Sequence, residues 1–155
     1  MTEIVLPKID RSILNNKSEI VRKLAKFTNP ENVLSEADEL RPYETDALSV
    51  YTQTPLAVVL PENTQEVSEI LKYCNEQNIK VVPRGAGTGL SGGALPLQDA
   101  ILLGLGKFNK ILEIDYENKC VITQPGVTNL GITHAVEHKG FYYAPDPSSQ
   151  LACSI

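Results

Sequence analysis

The sequence predicts an α+β fold, in which short strands and amphipathic helices share a core. Hydrophobic residues make up 42% of the 155-residue chain, enough for a sizeable core. Apolar residues recur at helical spacing near the N-terminus, whereas short β-prone runs recur after residue 55. Some of these runs follow one another with no helix between them, which departs from the regular alternation of a doubly wound sheet.

The N-terminal segment, residues 1–50, is predicted to be helical. Apolar residues between Asp10 and Phe27 recur at spacings of three and four, and a proline soon ends the run. A second short helix is expected over Glu31 to Leu40. A polar, proline-containing stretch follows, and it places a boundary near Tyr51, with residues 51–155 as the second unit.

Beyond this boundary, strands and helices are expected in a definite order. The predicted elements are a strand Leu56–Leu60, a helix from Asn63 or Thr64 to about Asn78, a strand Lys80–Val82, three strands Ala100–Leu103, Lys110–Ile114 and Cys120–Thr123, and a helix from Thr128 or Asn129 that stops at Gly140. The first strand, helix and second strand should form a parallel β-α-β unit with a right-handed crossover.

A glycine-rich loop directly follows the second of these strands. Five of the ten residues from Arg84 to Gly93 are glycine, which permits left-handed backbone angles and close approach of a ligand. Successive N–H groups in such a loop can converge on an anion, and a diphosphate suits that concavity. Thr88 and Ser91 would add hydroxyl donors, and Arg84 would add a positive charge. A flexible surface turn is the alternative interpretation.

The same loop satisfies the nicotinamide-type pattern G-x-G-x-x-G at Gly87, Gly89 and Gly92. That pattern requires its third glycine in the first turn of a crossover helix, whereas a proline and then a strand follow here. The loop is therefore expected to bind phosphate through its own backbone curl rather than through a helix dipole. A nicotinamide-dependent reductase stays open as an alternative function.

Charge and cysteine content narrow the class of protein. A net charge of −5, without any block of like charges, argues against nucleic-acid binding. Cys74, Cys120 and Cys153 lack the spacing of a zinc site or disulfide framework, and indicate buried small residues in a reducing compartment. The N-terminal residues lack the basic stretch followed by an apolar run that is typical of a secretory leader, and no apolar segment approaches the ~20 residues that cross a bilayer. We expect a cytoplasmic protein, with a peripheral place on a membrane complex left open.

Two further patterns are candidates for functional sites. His134 and His138 lie four residues apart but have no third ligand, so no metal site is predicted. Asp146 stands between two prolines and could be a catalytic base, although such an aspartate more often caps a turn. No catalytic residue is assigned.

Two motifs, in this order along the chain, together resemble a known family. Val81-Val-Pro-Arg-Gly-Ala-Gly-Thr-Gly-Leu-Ser-Gly-Gly93 and Ala144-Pro-Asp-Pro-Ser-Ser-Gln-Leu-Ala-Cys-Ser-Ile155 resemble the FAD-binding domain of the vanillyl-alcohol oxidase and para-cresol methylhydroxylase superfamily. Within it, the chain is similar to the glycolate oxidase FAD-linked subunit and to the D-lactate and D-2-hydroxyglutarate dehydrogenases. The resemblance covers residues 40–155. It implies N-terminal helices followed by the first, pyrophosphate-binding subdomain of that fold, incomplete at its C-terminus.

The resemblance implies FAD as a non-covalent cofactor, because covalent relatives often carry a histidine within or beside the glycine loop and this chain has none. It assigns cofactor contacts to the loop, to one turn and to the second motif. These residues are Pro83, Arg84, Gly85, Ala86, Gly87, Thr88, Gly89, Leu90, Ser91 and Gly92, then Gly126, then Pro145, Asp146, Ser148, Ser149, Cys153 and Ile155.

The resemblance also implies a function, that of an FAD-linked oxidoreductase that oxidises a 2-hydroxy acid such as glycolate or D-lactate. Family members continue past the point that matches Ile155 with a substrate-binding cap domain. The chain is therefore expected to lack the substrate and catalytic half, and to depend on that half or on other oxidase subunits as partners. The alternative is a truncated, non-catalytic product or a binding partner without activity of its own.

Overall fold

The computed structural model describes residues 7–155; residues 1–6, which open the predicted N-terminal segment, lie outside the described residues. Its helices are α1 (Arg11–Asn15), α2 (Lys17–Leu24), α3 (Ala37–Leu40), α4 (Thr64–Glu76) and α5 (Asn129–Val136), and its strands are β1 (Val33–Leu34), β2 (Ala57–Val59), β3 (Lys80–Arg84), β4 (Ala100–Gly104), β5 (Ile111–Asp115) and β6 (Cys120–Thr123). This mixture of helices and strands confirms the predicted α+β class.

Four strands form one sheet in the order β1-β2-β4-β3. Strand β4 runs parallel to both neighbours, so that Leu102 pairs with Val58 on one side and with Val82 on the other. The predicted β-α-β unit is therefore parallel, but β4 lies between its two strands. All residues of β4 are buried, as expected of a central strand covered on both faces.

Helix α4 connects β2 to β3 and places two buried side chains in the main core cluster. Its N-terminus is capped by Asn63, whose Oδ1 accepts a hydrogen bond from the N–H of Glu66 at 3.0 Å. Ile70 and Cys74 lie one turn apart and pack with Ile101 in the main core cluster. Burial raises the pKa of the Cys74 thiol to about 11, so this cysteine is an inert core group.

The N-terminal helices contribute to the same core. Ile20 and Leu24 of α2 are buried in the cluster that also contains β2 and β4 side chains. Leu40 of α3 belongs to a second cluster, with Val58 and Leu102, whose side chains alternate to the other face of the sheet. The predicted boundary near Tyr51 stays a prediction.

The predicted helix from Glu31 to Leu40 is wrong in its first half. A 3-10 turn, Pro30–Asn32, leads into β1, which pairs antiparallel with β2. Only Ala37–Leu40 is α-helical. The reason lies in the tertiary structure. The edge of β2 that faces away from β4 has backbone N–H and C=O groups that need partners, and the backbone of Val33–Leu34 pairs with them.

Residues 85–99 connect the parallel strands β3 and β4 without any helix, although parallel connections usually contain one. This agrees with the expectation that no crossover helix follows Gly92. The end of the connection is fixed by Asp99, which is buried and accepts hydrogen bonds from Lys80 Nζ at 2.6 Å and from the N–H of Asp10 at 2.7 Å.

Strands β5 and β6, both of which were predicted, form a separate antiparallel hairpin. In its turn, Asp115 Oδ1 accepts from the N–H of Asn118 at 2.9 Å. Helix α5 follows and is capped by Thr128, whose Oγ1 accepts from the N–H of Gly131 at 3.1 Å. A 3-10 turn extends the helix to Gly140, which adopts φ +76° and ends it, as predicted.

No helix within residues 7–155 combines the length and apolar character that crossing a bilayer requires. Over the same range, no three His, Cys, Asp or Glu side chains come together as a metal-binding group. The expectation of buried cysteines is correct for Cys74 and wrong for Cys120, because alternation along β6 places Cys120 on an exposed face. Cys153 is partly buried.

Candidate functional site

The glycine loop, residues 85–93, presents backbone donors that the protein itself does not use. Gly87 and Gly92 adopt φ +72° and +75°, angles that side-chain-bearing residues rarely take. None of the N–H groups of residues 87–91 donates a hydrogen bond to another described residue. The hydroxyls of Thr88 and Ser91 likewise have no hydrogen-bond partner among the described residues. A run of unengaged donors on a curled backbone is an arrangement that binds anions.

Arg84, the last residue of β3, closes the base of the glycine loop. Its Nη2 and Nε donate to the carbonyl oxygen of Ala94 at 2.5 and 3.2 Å. Only 7% of the residue is exposed. Burial lowers the pKa of the guanidinium, and the negative charge of Asp46 opposes that shift. The guanidinium that was predicted to add a positive charge is therefore buried at the base of the loop, where it binds the backbone of Ala94 at the other end of the loop.

Residues 46–48 support the loop from the N-terminal side of the chain. The N–H of Ala47 donates to the carbonyl oxygen of Gly87 at 2.9 Å. A Cβ placed on Gly92 would lie 3.6 Å from Leu48 Cδ2. Asp46 is buried; its Oδ1 accepts from the N–H of Leu48 at 2.9 Å, and its Oδ2 has no partner among the described residues. The sequence assigned Asp46 no role.

The start of α5 holds the second predicted motif, residues 144–155. Asn129 is buried, and its Nδ2 donates to the carbonyl oxygen of Pro145 at 2.8 Å. Its backbone N–H donates to the carbonyl oxygen of Cys153 at 3.0 Å. The N–H of Ile155 donates to the carbonyl oxygen of Val127 at 3.0 Å. These contacts fix both ends of the motif against one short stretch of chain.

The middle of this motif is a turn. The carbonyl oxygen of Ser149 accepts from the N–H groups of Ala152 and Cys153, each at 2.8 Å. Asp146 Oδ1 accepts from Gln150 Nε2 at 2.6 Å. This contact joins two side chains and is not the backbone hydrogen bond of an aspartate that caps a turn, so both interpretations of Asp146 stay predictions. Pro145, Asp146 and Ser148 are exposed, and their cofactor roles stay predictions.

Ser154 is the point at which the two motifs meet, although the sequence did not identify it as a cofactor residue. Its Oγ accepts a hydrogen bond from the N–H of Ala86 at 3.1 Å. A Cβ on Gly85 would come within 2.1 Å of the same oxygen, so a glycine is needed there for this approach. The resemblance assigned cofactor contacts to Cys153 and Ile155. The hydroxyl-bearing residue between them was the feature of the sequence that could have identified Ser154.

Gly126 has a structural explanation of its own. Its N–H donates to the carbonyl oxygen of Phe108 at 2.8 Å. A Cβ there would lie 2.3 Å from the carbonyl oxygen of Leu105 and 2.8 Å from that of Phe108. Backbone packing therefore requires a glycine at this position, and its cofactor role stays a prediction.

The chemistry of the loop fits a doubly charged phosphate linker. Unengaged N–H groups and two hydroxyls supply donors, and no atom lies within 4 Å of a Cβ built on Gly89, so the backbone is open to a ligand there. A polar groove of about 530 Å³ lies between α1–α2 and α4, lined by side chains such as Lys23, Lys26 and Tyr73. It contains none of the predicted cofactor residues and is not part of this site.

Comparison with known proteins gives consistent matches. A family model described as FAD binding domain matches residues 55–155. The chain is 45% identical over 150 residues to the Glycolate oxidase subunit GlcD of Escherichia coli (strain K12), covering 97% of this chain and 29% of that protein. It is 34% identical over 125 residues to the mitochondrial D-2-hydroxyglutarate dehydrogenase of Arabidopsis thaliana, covering 81% of this chain and 22% of that protein. The chain thus spans less than a third of the length of these relatives.

Solved structures show the same fold. p-Cresol methylhydroxylase with substrate bound superimposes with a TM-score of 0.71 at 29% identity, over 88% of this chain and 27% of that one. Alkyldihydroxyacetonephosphate synthase superimposes with a TM-score of 0.78 at 19% identity, over 98% of this chain and 29% of that one. The second likeness concerns the fold alone. Together they confirm the fold that the two motifs implied.

Proposed function

Because this chain belongs to the family of FAD binding domains and has FAD as its cofactor, we propose that its glycine loop and residues 144–155 together bind the pyrophosphate of FAD without a covalent link. The observation that carries this proposal is the 3.1 Å hydrogen bond from the N–H of Ala86 to Ser154 Oγ. It brings the two predicted motifs together next to the unengaged N–H groups of residues 87–91. Ser154 is therefore added to the cofactor residues that the sequence suggested.

The phosphates would be held mainly by backbone donors. Fixed N–H groups and hydroxyls that need no reorganisation bind an anion well, because their orientation is already set before the ligand arrives. Thr88 and Ser91 would add hydrogen bonds from their hydroxyls. The family match begins at residue 55, which supports the proposed division into an N-terminal segment, 1–50, and an FAD-binding unit, 51–155.

We also propose that the whole protein is an FAD-linked oxidoreductase that oxidises a 2-hydroxy acid such as glycolate or D-lactate. The names of the relatives, a glycolate oxidase subunit and a D-2-hydroxyglutarate dehydrogenase, support this class of substrate. The bound FAD would supply the hydride acceptor for oxidation at the carbon that bears the hydroxyl group. The described residues contribute placement of the cofactor, and none is given a catalytic role.

Partners and location follow from the same proposal. A relative named as an oxidase subunit supports other subunits of an oxidase as partners, besides the 2-hydroxy acid itself. A cytoplasmic location stays a prediction from the cysteine pattern.

The test is flavin binding in two contexts. FAD and riboflavin, which lacks the pyrophosphate, are titrated against the purified chain and against a chimera in which the chain replaces the matching segment of the Escherichia coli relative. We expect FAD to bind much more tightly than riboflavin in both, and the chimera to oxidise glycolate or D-lactate with an artificial electron acceptor. Equal affinity for the two flavins would contradict the pyrophosphate role, and failure of both proteins to retain FAD would contradict the cofactor site.

A further inference from the structure

Arg84 carries a buried charge that the protein uses internally. The side chain spans the base of the glycine loop and donates two hydrogen bonds to the carbonyl oxygen of Ala94. A guanidinium that is 7% exposed needs a compensating negative charge, because burial removes its hydration. No ion pair within 4.0 Å provides that charge among the described residues.

Asp46 forms no ion pair with Arg84 within 4.0 Å, but its negative charge opposes the lowering of the Arg84 pKa by burial. It is itself buried, with Oδ1 fixed by the N–H of Leu48 at 2.9 Å and Oδ2 buried without a hydrogen-bond partner. A buried carboxylate oxygen in this state is stabilised when a positive charge lies nearby, and Arg84 supplies one. The two buried groups therefore balance one another in charge.

The residues that follow Asp46 contact the loop on either side of its free donors. The N–H of Ala47 donates to the carbonyl oxygen of Gly87, and Leu48 Cδ2 lies 3.6 Å from the position that a Cβ on Gly92 would take. The unengaged N–H groups lie between these two contacts. A shift of Asp46 would therefore move the loop at both points.

We propose that Asp46 is a positioning residue for the cofactor. With Arg84 it forms a charge-balanced support that fixes the glycine loop in the shape in which backbone N–H groups, rather than the Arg84 guanidinium, meet the phosphates. This inference rests on the proposed function of the loop, and it extends it to a residue that lies outside both motifs.

The test uses Asp46→Asn, which preserves the size of the side chain and removes its charge. The matched control is Asp38→Asn, which makes the same change on an exposed residue of α3. On Coulombic grounds alone, loss of a negative charge close to an anion site strengthens binding of the anion. The positioning role predicts the opposite sign: FAD binding weakens by about tenfold, because the loop is no longer preorganised.

The second readout, in the chain without FAD, is amide hydrogen exchange of Ala47 and Leu95, whose N–H groups donate to the loop carbonyl oxygens of Gly87 and Gly92. We expect Asp46→Asn to speed this exchange, and Asp38→Asn to leave it unchanged. Arg84→Lys, which keeps the charge and loses the two-donor contact with Ala94, should speed it as well and serves if Asp46→Asn does not fold. Unchanged exchange in the folded variants, or FAD affinity that stays equal or rises in Asp46→Asn, would overturn the inference.

A double variant separates the support from a direct phosphate contact. If Arg84 and Asp46 act together, Asp46→Asn combined with Arg84→Met weakens FAD binding by less than the product of the two single effects. Independent effects would contradict the pairing. Failure of the unaltered chain and its chimera to bind FAD would refute the proposed function instead, while hydrogen exchange would still decide whether Asp46 holds the loop.

Discussion

Ser154 Oγ accepts a hydrogen bond from the N–H of Ala86 at 3.1 Å, across 68 positions of the sequence. Gly85, next to Ala86, approaches the same oxygen so closely that a Cβ would lie 2.1 Å from it. The glycine loop and the second motif are thus joined at one tight contact.

Gly85→Ala should separate the two motifs. The added methyl group collides with Ser154 Oγ, so the serine must move and the Ala86 contact is lost; we expect FAD affinity to fall about tenfold or more. Equilibrium titration with FAD measures this effect. Gly106→Ala is the matched control, because it lies outside the loop, nothing lies within 4 Å of a Cβ there and its φ is ordinary.

Removal of the obstructing hydroxyl should partly restore the Gly85→Ala variant. In Ser154→Ala the nearest remaining atom, Cβ, lies 3.5 Å from the new methyl group, an ordinary contact. Gly85→Ala should therefore cost less FAD affinity in the Ser154→Ala background than in the unaltered chain. An equal cost in both backgrounds would show that the collision is not the cause.

Gly126→Ala should destabilise the fold. The new Cβ meets the carbonyl oxygens of Leu105 and Phe108 at 2.3 and 2.8 Å, and these backbone atoms cannot rotate away. We expect the free energy of unfolding to fall by about 1–3 kcal/mol. Urea denaturation measures it, with Gly106→Ala, which has open space around its Cβ, as the control. Equal stability of the two variants would contradict this packing.

Asn129→Ala should loosen the second motif. The substitution removes the hydrogen bond from Asn129 Nδ2 to the carbonyl oxygen of Pro145 and leaves that oxygen without its donor. We expect the free energy of unfolding to fall by about 1–2 kcal/mol. Gln150→Ala removes a hydrogen bond to Asp146 in the same motif, but that contact is exposed and should cost less. Denaturation curves of both variants test the difference, and the reverse order would argue against Asn129 as the anchor.

Asp99 should make stability fall in acid. Burial alone would raise the pKa of Asp99, but the hydrogen bonds from Lys80 and from the N–H of Asp10 outweigh it, so the pKa lies below its usual value. A lowered pKa in the folded chain contributes stability that is present above the unfolded-state pKa and is lost as pH falls through the folded-state pKa. The free energy of unfolding should thus decline below about pH 4.

Asp99→Asn should flatten that decline and, at pH 7, lower stability by about 1–2 kcal/mol, since Lys80 is partly exposed and water screens the pair. Urea denaturation at several pH values measures both effects. The exposed Asp38→Asn variant is the control, and an unaltered slope in Asp99→Asn would refute the assignment.

Most elements after residue 55 could be predicted from the sequence, because each shows its own hydrophobic period or cap. Strand β1 could not, since two residues, Val33–Leu34, are too few to show a period and pair only because β2 has an open edge. The insertion of β4 between β2 and β3 likewise depends on burial of the assembled sheet.

In the candidate site, too, some residues could be predicted from the sequence and others could not. Gly87 and Gly92 could be identified because positive φ favours one residue type. The roles proposed for Ser154 and Asp46 could not, because Ser154 contacts Ala86, and Ala47, next to Asp46, contacts Gly87, residues far away in the sequence that no local pattern links.

The central claim is that free backbone N–H groups of the glycine loop hold the pyrophosphate of FAD. The most direct measurement is the ¹⁵N–¹H chemical shift of residues 87–91 during titration with FAD, with riboflavin as the control ligand. We predict large, saturable shifts of these amides with FAD and small ones with riboflavin. FAD binding that leaves the amides of residues 87–91 unshifted, or shifts them equally with riboflavin, would contradict the claim.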